Sequence, residues 1–206
     1  MLKIRTSSPI LSWSLLILVA CGKPDPLELV EVKAIVPSIV VDLPYATQHN
    51  FLGRAVYEDE RCFLRRCAAE RLARVQTRLQ AQGYGLKIWD GYRPLSVQKA
   101  MWAILPDSRY VANPARGSRH NRGAAVDVTL VRSDGSGVEM PTAFDDFSAR
   151  AAAQAEDVTA AARQHRRILQ EAMTAEGFMT LDSEWWHFDA PCWEKCEILD
   201  ISSKNL

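Results

Sequence analysis

The sequence has no surplus of charge of either sign. Its 206 residues include 25 Lys and Arg against 25 Asp and Glu, so the formal net charge is zero. Proteins that bind nucleic acid through its phosphates normally carry a basic surplus. We therefore expect no nucleic-acid partner, and the balance of charge weakly favours a small neutral or zwitterionic substrate.

Long apolar runs are also missing. The apolar run near the N-terminus, from Ile10 to Ala20, has about 11 residues, whereas a membrane-spanning helix needs roughly 20. Lys3 and Arg5 precede this run, and basic residues followed by a short apolar run are typical of a cleaved signal peptide. We predict a signal peptide over residues 1–20 and export from the cytoplasm.

The apolar run ends in the four residues from Leu18 to Cys21, which resemble the lipobox of bacterial lipoproteins. In a lipobox the cysteine becomes the lipidated first residue of the mature chain, while the alternative is an unlipidated signal peptide with a chance cysteine. The next residues, Gly22 to Pro26, are rich in chain breakers. We predict a lipidated tether over 21–26, a membrane contact through the lipid, a periplasm-facing location in the cell envelope, and one folded domain over 27–206.

Cysteine is scarce in the rest of the chain. Apart from Cys21 there are four, namely Cys62, Cys67, Cys192 and Cys196. An even number of cysteines in an exported chain favours disulfides, but four cysteines permit three connectivities and the sequence does not choose among them. The spacings C-x4-C and C-x3-C differ from the usual C-x2-C of zinc knuckles, so a thiolate zinc site is a weaker alternative. Free buried thiols remain a third alternative for these four cysteines.

The spacing of apolar residues predicts one α+β domain. Helical spacing covers three stretches: Leu64 to Gly83, the residues after Pro94, and Asp157 to Gly177. Alternation or β-branched composition predicts strands at Val32–Val41, Leu86–Trp89, Ala124–Val131 and Trp185–Phe188. Because no βαβ period repeats, we expect a largely antiparallel sheet flanked by helices.

Metal-ligand residue types occur in a motif at Ser118 to Asp127. This stretch fits S-x-H-x-x-G-x-A-x-D at every fixed position. Gly123 allows the chain to turn, so that His120 on a loop and Asp127 on a strand can converge. With the distant His187 they supply two nitrogen donors and one oxygen donor, which leaves a fourth tetrahedral position open, as in catalytic zinc sites.

Two further motifs accompany this one: D-G-Y-R-P at Asp90–Pro94, and E-x-x-H at Glu184–His187. The three motifs, in this order, resemble the VanX-like D-alanyl-D-alanine dipeptidases, which are zinc peptidases. The resemblance covers roughly Ile39 to Phe188. It implies zinc-dependent hydrolysis of the small dipeptide D-alanyl-D-alanine, with one Zn²⁺ per chain.

The resemblance also implies roles for the metal-site residues. His120, Asp127 and His187 would bind zinc, and Glu184 would act as general base and acid. Glu184 and His187 are three residues apart, so on an ideal strand their side chains would point to opposite faces. We therefore expect a turn or a bulge at this point.

Substrate contacts are implied by the same resemblance. Arg93 would steady the developing oxyanion, although the residues alone also allow a structural ion pair with Asp90. The family further suggests that three side chains line the dipeptide pocket, namely Ser118, Tyr45 and Asp145. Asp145 would face the substrate ammonium, with the adjacent Asp146 as the alternative.

Two other functions remain open at this point. One is a zinc carboxypeptidase or endopeptidase of the same metal architecture that acts on peptidoglycan stem peptides. The other is a non-catalytic lipoprotein that binds cell wall, which the presence of all the proposed catalytic residues disfavours.

Overall fold

The computed structural model describes residues 23–108 and 110–206. The predicted signal peptide, the lipidation site Cys21 and the first residues of the tether lie outside the described residues. Leu27 is partly buried against the main core, and the first strand begins at Leu29. Within the described ranges, no helix combines the length and the apolar character needed to cross a membrane.

The chain folds into a mixed α and β domain, as the sequence predicts. Its strands are β1 Leu29–Glu31, β2 Val40–Val41, β3 Phe63–Arg65, β4 Tyr84–Asp90, β5 Ala125–Arg132, β6 Met179–Leu181 and β7 Glu184–Asp189. Its α-helices are α1 Val32–Ile35, α2 Arg66–Gln80, α3 Leu95–Ile104 and α4 Ala160–Ala175. Short 3-10 turns lie between them, including one at His120–Arg122.

The main sheet has five strands in the order β2-β4-β5-β7-β6. Only the β2–β4 pair is parallel, and the other three pairs are antiparallel. Strands β1 and β3 form a separate antiparallel pair. The central pairing of β5 with β7 brings two candidate metal ligands together, because it places Asp127 directly opposite His187.

The alternation of side chains along β5 places core residues on one face of the sheet and a residue of the candidate site on the other. Val126, Val128 and Leu130 are fully buried in the same core cluster as Leu72 of α2 and Leu169 of α4. Burying each of these side chains contributes roughly 1.5–3 kcal/mol. The opposite face of β5 carries the carboxylate of Asp127, so the packed helices hold one face of the sheet rigid while the other face presents the site.

The strand predicted over Val32–Val41 is wrong for its first half. Residues Val32–Ile35 form the short helix α1, and only Val40–Val41 form a strand. Val32 and Val36 are buried and Ile35 is partly buried, a spacing of three and four residues from Val32 that one face of a helix provides. Pro37 then stops the helix, since the residue before a proline disfavours the helical conformation.

One disulfide joins Cys67, at the start of α2, to Cys192, in the segment after β7. Cys62 and Cys196 are free and buried, so the structure contains no disulfide at these two candidates. Cys62 packs so tightly against Gly91 that a Cβ added to the glycine would lie 2.6 Å from the cysteine sulfur. The thiol of Cys196 donates to the carbonyl oxygen of Cys192 at 3.2 Å.

Candidate active site

Three side chains converge on one point at the face of the sheet. The Nδ1 atom of His187 lies 2.9 Å from Oδ1 of Asp127 and 3.2 Å from Nε2 of His120. Nε2 of His120 lies 3.4 Å from the same carboxylate oxygen. All three residues are buried, and their ligand atoms lie within 4.8 Å of one another. This donor set fits a zinc ion, because it combines two imidazole nitrogens with one carboxylate oxygen.

The turn that carries His120 depends on Gly123. This residue has φ +65°, and a Cβ there would lie 2.7 Å from the side chain of Leu29. Ser118 supports the same turn, because its Oγ accepts a hydrogen bond from the His120 amide at 3.2 Å. The ring is fixed from behind, where Nδ1 of His120 lies 2.8 Å from the carbonyl oxygen of Gly91. Nε2 of His120 therefore faces Asp127.

Glu184 reaches the site through an irregularity in β7. Thr180 pairs with Phe188, but the next residue, Leu181, pairs with Glu184, so the register shifts between them. This bulge meets the expectation from the Glu184–His187 spacing, and it brings Oε2 of Glu184 to 3.9 Å from Nδ1 of His187. The Glu184 side chain is 29% exposed, against 4–9% for the three converging residues. It is therefore the acidic group at this centre that solvent and substrate reach most easily.

The electrostatics of Glu184 suit a proton acceptor. Burial raises the pKa of its carboxyl, the nearby His187 lowers it, and Asp127 raises it further, with a net increase above the ordinary value. A carboxylate whose pKa is raised toward neutrality is a stronger base at physiological pH than an ordinary glutamate. A cavity of about 280 Å³, lined in part by Glu184, Ser183 and Trp186, opens beside this group.

Arg93 is held firmly at the edge of the site. Its Nε donates to Oδ2 of Asp90 at 3.2 Å, its Nη2 also contacts that oxygen, and its Nη1 donates to Gln98 at 2.8 Å. The guanidinium carbon lies 5.4 Å from the ring centre of Tyr45. The ion pair with Asp90 therefore forms, and it orients a buried cation beside Tyr45.

Asp145, and not Asp146, faces this cluster. The hydroxyl of Tyr45 donates to Oδ2 of Asp145 at 2.8 Å. Oδ1 of Asp146 instead accepts from the amide of Ser148. Asp145 adopts φ +55°, a left-handed conformation that Asp and Asn tolerate better than most residues. Burial raises the pKa of Asp145 to about 7 despite the hydrogen bond from Tyr45, which lowers it.

A second group of potential ligands is disqualified by its chemistry. The sulfurs of Cys67, Cys192 and Cys196 lie within 4.8 Å of one another. Two of them are bonded to each other, so they offer no thiolate to a metal.

A larger cavity of about 420 Å³ is lined by residues such as Tyr57 and Phe63, and by none of the converging ligand residues or Glu184.

Comparison with known proteins bears directly on this arrangement. A family model described as D-ala-D-ala dipeptidase matches residues 25–195. The chain belongs to the D-alanyl-D-alanine dipeptidase family. This assignment confirms the resemblance drawn from the three motifs, and the match spans all the residues that meet at the site.

Relatives from several bacteria carry the same name. The chain is 38% identical to a D-alanyl-D-alanine dipeptidase of Escherichia coli over 167 residues, which are 81% of this chain and 86% of the relative. It is 35% identical to one from Enterococcus faecalis, over 71% of this chain and 83% of the relative. A third, from Enterococcus faecium, is also 35% identical, over 75% of this chain and 87% of the relative.

The family's fold thus brings together residues from distant parts of the chain. Glu184 lies beside the three metal-ligand candidates, and Ser118 supports them through the His120 turn. Arg93, Tyr45 and Asp145 form an adjoining cluster, which Asp90 links to His120 at 3.8 Å. Tyr57 and Asp189 also contribute and were not predicted from the sequence. Tyr57 donates to Oδ1 of Asp90, and no motif marks it. Asp189 contacts His187, and its position two residues along the same strand is a signal that alternation offered.

Proposed function

We propose that this chain is a zinc-dependent dipeptidase that hydrolyses D-alanyl-D-alanine to D-alanine. The observation that carries the proposal is the convergence of His120, Asp127 and His187 with Glu184 at 3.9 Å from that centre. The names of the bacterial relatives support the substrate. One zinc ion per chain is expected, held by the two histidines and the aspartate.

A zinc ion held there would supply Lewis acidity to a peptide carbonyl and would lower the pKa of a water molecule to about 7. Glu184 accepts the proton of the attacking water and later returns it to the leaving amine. Arg93 donates hydrogen bonds to the oxyanion that develops on the carbonyl oxygen, and its pairing with Asp90 fixes the guanidinium in place. Because these donors are already oriented, little reorganisation is needed during the reaction.

The pocket polarity supports a zwitterionic dipeptide. Asp145 places a carboxylate near the site for the substrate ammonium, and Tyr45 orients it through its hydroxyl. Ser118, whose Oγ accepts from the His120 amide, would line the same pocket. Free D-Ala-D-Ala suits this arrangement better than a stem peptide, because the D-Ala-D-Ala at the end of a stem peptide carries no free ammonium.

Export and lipid anchoring form part of the proposal. They are supported by the apolar run from Ile10 to Ala20 and by the lipobox-like residues ending at Cys21. The disulfide between Cys67 and Cys192 also agrees with an oxidising compartment such as the periplasm. In the cell envelope the enzyme would recover D-alanine from dipeptides released from the cell wall.

The decisive experiment separates catalysis from metal binding. Glu184→Gln should retain zinc and fold, but lose on the order of 10²–10⁴-fold in kcat, as general acid–base groups typically contribute. Asp182→Asn is the matched control, since it changes an exposed acid two residues away. Zinc content, circular dichroism and turnover are measured on the same preparations. Undiminished turnover in a folded, zinc-loaded Glu184→Gln protein would refute the mechanism.

Substrate comparison tests the rest of the proposal. The zinc-loaded protein is assayed on D-Ala-D-Ala, L-Ala-L-Ala and a stem pentapeptide. We expect turnover of D-Ala-D-Ala alone or by a wide margin. Preference for the pentapeptide would favour a carboxypeptidase of the same architecture, and no turnover of any peptide would favour a cell-wall-binding protein.

A further inference from the structure

The two nitrogens of His187 have different partners. Nδ1 faces the oxygen of Asp127 and the ring of His120, whereas Nε2 lies 3.1 Å from Oδ1 of Asp189. His187 and Asp189 are two residues apart on β7, so the alternation of the strand places both on one face. Asp189 is 1% exposed. A buried carboxylate therefore lies directly behind the imidazole that faces the metal centre.

The second oxygen of Asp189 is also engaged. Oδ2 accepts a hydrogen bond from Nη1 of Arg119, so the carboxylate is paired on both sides. The guanidinium of Arg119 in turn lies over the ring of Trp193, 4.2 Å from its centre, in a cation–π contact. Arg119 directly precedes His120 in the chain. The contacts thus connect the loop of one histidine to the ring of the other.

This arrangement satisfies the ring nitrogens that do not face the centre. His120 uses the backbone carbonyl of Gly91 for its Nδ1, and His187 uses the carboxylate of Asp189 for its Nε2. A partner at the outer nitrogen fixes both the tautomer and the ring orientation of a metal-binding histidine, and makes the inner nitrogen a better donor. Only the partner of His187 is a side chain, so only the contact between His187 and Asp189 can be removed by substitution.

We propose that Asp189, held in place by Arg119, is a positioning residue that fixes His187 with Nε2 protonated and Nδ1 directed at the metal. The proposal rests on the proposed function in one respect, namely that His120, Asp127 and His187 hold zinc. Asp189 touches neither substrate nor metal and acts through the imidazole alone. Arg119 acts one step further out, because it restrains the carboxylate.

The test measures zinc affinity directly, by competition of the apoprotein with a chromophoric chelator at constant pH. Asp189→Ala should weaken zinc binding by about 10- to 100-fold, the usual effect of removing such a partner. Arg119→Ala should weaken it by a smaller factor. The double variant should be no weaker than Asp189→Ala, because Arg119 acts only through Asp189 and the two effects are then not additive. Asp157→Ala, at an exposed position, is the matched control.

A spectroscopic signature distinguishes positioning from a general loss of structure. In the zinc-loaded protein, the Nε2 proton of His187 should exchange slowly with solvent in the wild type and quickly in Asp189→Ala, as followed by NMR. If Asp189→Ala does not fold, Asp189→Asn preserves the side-chain volume and Arg119→Ala alters only a partly exposed group. Both should still weaken zinc binding and speed this exchange.

Different outcomes would contradict the proposed metal centre and the positioning role of Asp189. A wild-type protein that binds no zinc would overturn the metal centre itself. If the wild type binds zinc and the folded Asp189→Ala variant stays within about twofold of its affinity, the positioning role is wrong while the metal centre stands. Losses in Arg119→Ala and Asp189→Ala that add fully in the double variant would equally contradict it, because the two residues would then act separately.

Discussion

The disulfide between Cys67 and Cys192 should be a large contributor to the stability of the domain. The two cysteines are 125 positions apart, so the bond closes a loop that contains β4, β5 and β7 together with the whole candidate metal site. Restricting the unfolded chain over a loop of this length is worth about 4.9 kcal/mol at 25 °C in the chain-entropy description. Measured losses on removing native disulfides are typically about 2–5 kcal/mol. We expect a loss in this range.

The perturbation is the double variant Cys67→Ser/Cys192→Ser. Both cysteines must be replaced, because the sulfur of Cys196 lies within 4.8 Å of each and could pair with a single remaining partner. The free energy of unfolding is measured by urea titration at fixed zinc concentration, and thermal unfolding should shift downward by roughly 4–20 °C. Cys196→Ser is the control, since it removes a buried thiol and leaves the disulfide.

Reduction offers an independent check of the same reasoning. The wild-type protein under a reductant that does not bind zinc should match the double variant, because both lack the covalent restraint. If the oxidised and disulfide-free proteins differ by less than about 1 kcal/mol, the loop argument fails. Either the bond does not form in solution, or the unfolded chain is already restricted by residual structure.

The remaining predictions concern the substrate pocket and the N-terminus. Asp145→Asn should raise KM for D-Ala-D-Ala, because it removes the carboxylate offered to the ammonium. Asp146→Asn should raise KM less, because Asp146 lines the cavity beside Glu184 but its Oδ1 accepts from the Ser148 amide; equal effects in steady-state kinetics would contradict the assignment. Arg93→Lys should lower kcat by on the order of 10²-fold, as lost oxyanion donors do, with zinc content unchanged; normal kcat would restrict Arg93 to its structural pair. Cys21→Ser should yield a protein released from the membrane, and mass spectrometry finding an unmodified mature N-terminus at another residue in the wild type would contradict lipidation.

The elements whose packing follows a simple period could be predicted from the sequence. Helix α2 and strand β5 show spacings of 3.6 and 2, and both lie where those periods indicate. The prediction for the first half of the segment from Val32 to Val41 is wrong because β-branched composition favours a strand, while the burial of Val32, Ile35 and Val36 follows a helix. Composition is a weaker guide than spacing when the two disagree.

The residues of the candidate site also fall into two groups, those that could be predicted from the sequence and those that could not. The residues that face the centre belong to short motifs with turn residues, so their types and order were visible in the sequence. Of their supporting partners, Asp90 was visible in the D-G-Y-R-P motif itself. Tyr57 and Gln98 lie outside that motif and meet Asp90 and Arg93 only in the folded chain. The Cys67–Cys192 pairing likewise joins two segments that only the tertiary fold brings together.

The segment after β7 contributes to the site without supplying any residue to it. The match to the family model ends at residue 195, yet the amide of Leu199 donates to the carbonyl oxygen of Asn121, next to His120. The amide of Ile201 is hydrogen-bonded to the hydroxyl of Tyr92, next to Arg93. A loop that carries a candidate metal ligand needs such support, because a misplacement of about 1 Å is costly in catalysis. The chain beyond the family match therefore supports the candidate site, since it hydrogen-bonds to the residues next to His120 and Arg93.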